Sequence, residues 1–325
     1  MKIDMTHGSG GRQTERFIRE VFVKAFGNPV LDRMEDAAVL RVKENIAFTT
    51  DSFVVTPLFF SGGDIGKLAI CGTVNDLLMM GARPRYLSAG FILEEGAETE
   101  TVERAVESMR RAAEEADVQI VAGDTKVVEG KSGLYINTAG IGEVIKPGIG
   151  VSACRPGDVL LLSGNLGEHH AAILSERMGI ENTIASDCAP LCGMVFRLLE
   201  EGIDVRCMRD VTRGGLATVL NEIAESAGCG AVIEEAALPV SAAVSGFCDI
   251  LGLDPLYMAN EGKMLAVLPA EQAKRALTIV KASRYGADAR LIGAMTEEKG
   301  VRMTTLLGGI RMVDMLYGEG LPRIC

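Results

Sequence analysis

Two periodicities alternate along the chain. Apolar residues spaced three and four apart predict helices over 13–26 (Phe17, Val21, Phe22, Ala25), 65–80, 98–116, 192–201, 215–227 and 270–282. Shorter apolar or alternating runs predict strands over 39–42, 46–50, 86–93, 119–122, 134–145, 159–163, 205–208, 231–233, 264–268 and 289–294. A further helix carrying His169 and His170 is expected after the turn at Gly164-Asn165-Leu166-Gly167, with both imidazoles structural or at a rim. Lys146-Pro147-Gly148 and Pro156-Gly157 interrupt the pattern. Mixed strands and helices on both sides of that break predict an α/β (α+β) fold in two domains, 1–150 and 151–299, followed by a C-terminal segment over 300–325.

With 48% hydrophobic and 24% charged residues, the chain can fill a core. A net charge of −11 without Trp argues against a nucleic-acid binder, which needs a basic face. It leaves room for a nucleotide, whose phosphates can be met by Mg²⁺ and backbone N–H groups. No signal peptide opens the sequence, and no apolar run reaches the ~18 residues of a membrane span, so a cytoplasmic protein is expected. The eight cysteines form no Cys-x-x-Cys pair, and most read as small core residues. Cys325 differs: it ends the sequence behind Gly308-Gly309, Gly318, Gly320 and Pro322. Those glycines predict a flexible tail that can carry the thiol into a pocket or to another protein.

Candidate chemistry falls mostly at turns and strand ends. His7-Gly8-Ser9-Gly10-Gly11 can wrap N–H groups around an anion, but it lacks the P-loop ending. Asp36, Asp51, Asp124, Asp210 and Glu261 are expected at strand ends, turns or glycines, and Asp76 inside a helix. Strand-end acids converging on one site suit Mg²⁺, and Lys126, two residues after Asp124, can meet a phosphate.

These stretches, together with Glu35-Asp-Ala-Ala38, Thr50-Asp-Ser-Phe53, Gly66-Lys-Leu-Ala69, Val74-Asn-Asp-Leu77, Gly123-Asp-Thr-Lys126, Arg209-Asp-Val-Thr-Arg-Gly-Gly215, Asn260-Glu-Gly-Lys263 and Pro322-Arg-Ile-Cys325, carry a family resemblance. The chain resembles the superfamily of aminoimidazole ribonucleotide synthetase, selenophosphate synthetase and thiamine monophosphate kinase. Within it, the Pro-Arg-Ile-Cys end resembles the HypE family of nickel–iron hydrogenase maturation factors. Glu35 departs from the pattern, where many superfamily members carry a second Asp.

The resemblance implies a first domain that pairs with its copy into a β-barrel across a homodimer. It implies ATP and Mg²⁺ in the cleft between domains, and a substrate that is the chain's own Cys325 carrying a carbamoyl group from the carbamoyltransferase HypF. ATP-driven dehydration would leave S-cyanide for the iron centre on the HypC–HypD complex. By resemblance, Asp36, Asp51, Asp76 and Asp210 are the metal ligands, and Lys126 and Glu261 a proton-transfer pair near the carboxamide. Gly8, Ser9, Gly10, Gly11, Asn75, Asp124 and Thr125 join Asp36, Asp51 and Asp210 at the nucleotide. Two alternatives stay open from the residues: a small-molecule kinase of the same superfamily, and a passive carrier of the modified Cys325.

Overall fold

The computed structural model describes residues 2–4, 7, 16–33, 40, 45–131 and 133–315. The expected strand at 39–42, the loop Gly8–Gly11, Asp36 and Cys325 lie outside them, Leu40 excepted. The first helical segment is a π-helical Ile18–Val23 continued by a short α-helix, α1 (Lys24–Phe26). Its Phe22 stacks on Phe91 with ring centroids 4.4 Å apart.

The first half then runs β1 (Ile46–Phe53), β2 (Phe59–Phe60), β3 (Gly63–Asp64), α2 (Ile65–Met79), β4 (Ala82–Glu94), α3 (Thr99–Ala116), β5 (Gln119–Val128) and β6 (Leu134–Val144). Four strands make a sheet in the order β1-β6-β4-β5, with only β4 and β5 parallel. Helices α2 and α3 cover one face. They approach so closely that a Cβ on Gly66 would lie 2.0 Å from the carbonyl oxygen of Ala105. Asp64 caps α2 by accepting from the N–H groups of Gly66 and Lys67.

The second half contains β7 (Val159–Leu162), α4 (Glu168–Met178), α5 (Cys192–Glu200), β8 (Cys207–Asp210), α6 (Gly215–Ala227), β9 (Gly230–Glu234), α7 (Ala242–Leu251), β10 (Met264–Leu268), α8 (Ala273–Lys281), β11 (Arg290–Thr296), β12 (Gly300–Thr304) and β13 (Ile310–Met312). Its seven strands follow the order β13-β12-β9-β11-β7-β10-β8. The segment set apart at 300–325 thus supplies two strands to this sheet, because β12 pairs in parallel with β9.

Among the strands that run longer than their apolar patterns suggest, two carry candidate residues. β5 continues to Val128 by pairing with β4, so Gly123-Asp124-Thr125-Lys126 lies within a strand and does not follow one. β1 likewise carries Asp51 inside the strand, opposite Thr138. In both, backbone pairing to a neighbour overrides the local polarity that reads as a turn. The helix α7 and the hairpin β12–β13 went unpredicted.

His169 and His170 lie in the core at the start of α4. His169 shares a 2.8 Å hydrogen bond with Ser186 through Nδ1, and the Nε2 atoms of both rings lack a partner. Burial pushes both imidazoles down to about 4 from the ordinary 6.5, so both are neutral in the folded chain. The unfolded chain takes up protons below pH 6.5 that the folded one refuses. Stability from these residues is therefore complete above that pH and lost as pH falls toward 4, by at most about 3 kcal/mol for each. Urea unfolding midpoints are expected to fall between pH 6.5 and 5, and His170→Gln to flatten that dependence by about half. An unchanged slope in the variant would remove His170 from the account.

Candidate active site

The site is built where the two halves meet, and α2 is its axis. This helix is buried on almost every side, between its own sheet and β8 and α5 of the second half. Asn75 turns toward the second half, and Gly72 and Asp76 turn toward β1. Gly72 lets β1 come close: a Cβ there would sit 2.9 Å from the Phe53 ring and 3.7 Å from Oδ2 of Asp51. One turn further on, Asp76 accepts a 2.8 Å hydrogen bond from the Thr49 hydroxyl of β1. Thr49, Asp51 and Phe53 share the helix-facing side of the strand, so Asp51 and Asp76 lie side by side.

The second half brings two more acids. β8 ends on Asp210, which pairs with Met264 at the start of β10. The chain entering β10, Asn260-Glu261-Gly262-Lys263, is tied beside it: Val211 N–H donates to the Lys263 carbonyl at 2.9 Å, and Asn260 Nδ2 donates to the Val211 carbonyl at 3.0 Å. Asn260 Oδ1 accepts from Gly167 N–H at 2.8 Å, which fixes the entry to α4 as well.

Asp51, Asp76 and Asp210 lie within one another's electrostatic reach, and Asp210 and Asp51 reach Glu261. Burial, followed by the field of Asp76 and of Asp51, pushes the Asp210 carboxyl up to about 7 against the pull of Arg209. Burial and Asp51 also raise Asp76, against the Thr49 hydrogen bond and Arg209. Glu261, only 8% exposed, is raised well above the carboxylate range by burial and then by Asp210, Asp187 and Asp51. Repelling oxygens held together, with Arg209 offsetting only part of their charge, have the donor chemistry of a hard cation. Among the described residues no three His, Cys, Asp or Glu side chains form a ready-made metal cage. Carboxylate oxygen is the donor type that an ion such as Mg²⁺ prefers, with water and phosphate completing its shell.

Behind Glu261 lies a group that the sequence did not reveal. Asp187 has a fully buried side chain and accepts from the N–H groups of Glu261 (3.1 Å) and Gly262 (3.2 Å). Lys263, also buried, pairs with both Asp187 and Glu168 at 3.4 Å. Burial works against the ammonium, but the two carboxylates prevail and raise its pKa. A Cβ on Gly262 would meet the Asp187 carbonyl oxygen at 1.9 Å, so that position requires glycine. Asp187 sits in an irregular stretch before α5, where no periodicity or motif singles it out. Lys263 and Asn260 stood in a recognised motif without an assigned role.

Other expected residues are placed differently. Asn75 donates to the Ala189 carbonyl at 3.0 Å and accepts from Leu191 N–H at 2.9 Å. Its amide is thus engaged at both ends as a clasp between the halves. Thr125 is buried. Asp124 and Lys126 pair with each other at 3.1 Å and are 68% and 63% exposed, on the sheet face away from α2 and at the opposite edge from β1. Within one chain they do not meet Asp51, Asp76, Asp210 or Glu261. A cavity of about 340 Å³, lined by Ala224, Glu225, Cys229, Lys299 and Met315 among others, lies at the edge of the second sheet opposite to β8 and plays no part here.

Residues 34–144 match the family described as AIR synthase related protein, N-terminal domain, and residues 155–305 match its C-terminal domain. The fold and the acids at its junction thus belong to an AIR synthase related protein. The chain is 50% identical over 335 residues to the carbamoyl dehydratase HypE of Rhodobacter capsulatus, spanning 100% of this chain and 98% of that protein. A crystal structure of hydrogenase maturation protein HypE in complex with ATP superposes with a TM-score of 0.96 at 47% identity, covering 99% of each chain. A HypE–HypF complex structure matches with a TM-score of 0.81 at 47% identity, over 92% of this chain and 99% of that one. The chain belongs to the HypE family.

Asp76→Asn is expected to leave the fold intact, since Thr49 can still donate to the amide oxygen, and to lower ATP turnover by a hundredfold or more, about 3 kcal/mol or above. Near-normal turnover would strike Asp76 from the site. Lys263→Met is expected to destabilise the chain by about 3–5 kcal/mol, because it leaves buried Asp187 without its counter-charge. The denaturant midpoint reads this directly.

Proposed function

We propose that this chain is an ATP-dependent carbamoyl dehydratase of nickel–iron hydrogenase maturation, converting an S-carboxamide on its own Cys325 to S-cyanide. The observation that carries the reading is the end-to-end likeness to carbamoyl dehydratase HypE. The ATP-bound relative supports ATP as the second substrate. The relative solved with HypF supports HypF as the protein that loads Cys325, and the HypC–HypD complex is the proposed acceptor of the cyano group. A reducing compartment such as the cytoplasm suits chemistry on a free thiol.

Removing water from an amide is hard because oxide is a poor leaving group. Transfer of the γ-phosphoryl to the carboxamide oxygen releases ADP. The C–O bond then breaks with phosphate as the leaving group, the nitrogen loses its two protons, and C≡N forms. Asp51, Asp76 and Asp210, with Asp36, would hold Mg²⁺, which when bound offsets charge on the transferring phosphoryl. Glu261 suits proton transfer: burial, and then the neighbouring acids, raise its proton affinity well above that of an ordinary carboxylate, which makes it a stronger base for N–H protons. Asp187 and Lys263 hold its backbone in place. Gly8 to Gly11 are the proposed phosphate loop. Cys325, carried at the end of the chain, makes the reaction intramolecular.

The sheet face away from α2 and α3 supports the expected homodimer. Phe48 is 67% exposed, Ile46 46%, Ile92 45% and Val128 39%, all on that face. Apolar side chains on an uncovered antiparallel face call for a second layer, and a second copy supplies it. Lys126 and Asp124 lie on the same face, so their proposed role at the reaction centre is toward the site of the other copy. Phe48→Glu is expected to halve the mass measured by light scattering at micromolar concentration. A monomeric parent would refute the dimer.

The reaction itself is tested on the peptide that contains Cys325. After incubation with HypF and carbamoyl donor, ATP should cause loss of one water from that peptide, and Cys325→Ala should fold, bind nucleotide and yield no cyanide. Dehydration at another cysteine, or ATP turnover driven by a free metabolite, would overturn the reading.

A further inference from the structure

The hairpin β12–β13 closes one edge of the second sheet and displays its apolar residues outward. Leu306 is 71% exposed, Leu307 99%, Ile310 74% and Met312 52%. Its turn is held firmly: Thr305 N–H donates to the Gly309 carbonyl at 2.8 Å, Gly308 N–H to the Thr305 carbonyl at 2.9 Å, and Gly309 N–H to the Thr305 hydroxyl at 3.0 Å. Leu306 N–H is anchored on Glu235 at 2.7 Å. The leucines are therefore presented on a fixed support. The outer edge of β13 has no strand partner among the described residues.

Two observations say what such a surface is for. The match to the AIR synthase related C-terminal domain stops at residue 305, while likeness to HypE of Rhodobacter capsulatus covers 100% of the chain. The apolar tip and the segment leading to Cys325 thus fall together, beyond the part shared with the wider family. Cys325 is also only 13 residues past Met312. At ~3.5 Å per extended residue, a protein seated on the hairpin has the thiol within about 45 Å. Holding the root of the segment raises the effective concentration of its end.

We propose that the β12–β13 hairpin docks the enzyme that loads the carbamoyl group onto Cys325. The proposal rests on the function argued above. The loading enzyme must grip this chain while the thiol enters a foreign active site, and a relative has been solved as a HypE–HypF complex. Glu234 accepts from Thr304 at the end of β12, Glu235 holds Leu306, and Asp254 pairs with Arg311 at 2.8 Å. These contacts brace the hairpin, and its exposed leucines call for an apolar socket on the partner face. Leu306 and Leu307 are the central anchors, and the free edge of β13 accepts a partner strand.

The test uses the full chain with Leu306→Asp and Leu307→Asp, which are surface changes that leave the core untouched. Against purified HypF, the Kd should rise at least tenfold, and the KM for loading should rise alike with kcat unchanged. Loss of water from chain already carbamoylated at Cys325 should proceed at the normal rate, and Cys325→Ala should bind HypF as the parent does. Unchanged HypF affinity overturns the proposal. So does loss of the dimer, which would make a second copy the occupant, or slowed dehydration with normal HypF binding, which would point to the chain's own last residues. If the double variant loses HypF binding but parent Cys325 is never carbamoylated, the docking surface stands and the functional reading fails.

Discussion

The structure depends on holding like charges together. Asp51 and Asp76 come from one sheet-and-helix layer, Asp210 and Glu261 from another; Asp51 raises the proton affinity of the other three, Asp76 that of Asp210, and Asp210 that of Glu261. Nothing in the acids themselves favours that closeness. The scaffold imposes it through α2, whose residues are buried between two cores, and through contacts that cross the junction. Asn75 grips the backbone at Ala189 and Leu191, and Ser186 N–H donates to the Ser61 carbonyl at 2.8 Å. Lys263 supplies one cation nearby, and Asp187 and Glu168 take it up. At the front of the cluster Arg209 offsets part of the charge on Asp76 and Asp210.

Glycine is what allows the approach. Gly72 admits Phe53 and Asp51 against α2, Gly262 lies on the carbonyl of Asp187, and Gly215, with φ +63°, would place a Cβ 2.4 Å from the Leu256 carbonyl oxygen. At each, a methyl group would push apart two packed segments. The motifs that contain these glycines therefore encode spacing as much as chemistry.

Much of this was legible in the sequence. Most helices and strands follow from apolar spacing, and Asp51, Asp76, Asp210 and Glu261 were singled out before their convergence was visible. Other features have no local signature. Asp187 acts through distant backbone, in a stretch with no period. Asn75 reads as a nucleotide contact because it stands in a motif, yet its partners lie more than a hundred residues away. Lys126 and Glu261 can be paired on paper, whereas strand pairing puts Lys126 on the far face of the first sheet. β13 is too short and too exposed to carry a core-facing pattern, so it escapes any reading by periodicity.

The exposed hairpin has a colloidal consequence. An open strand edge beside Leu307 is also a template on which copies of the chain can stack wrongly. The overall charge of −11 opposes this, since crowded copies repel one another before their edges meet. That repulsion is long-ranged at low ionic strength and shrinks to roughly 8 Å at physiological salt. Low salt and a pH well above the isoelectric point near 5.0 therefore keep copies apart, a requirement set by a surface feature remote from the chemistry.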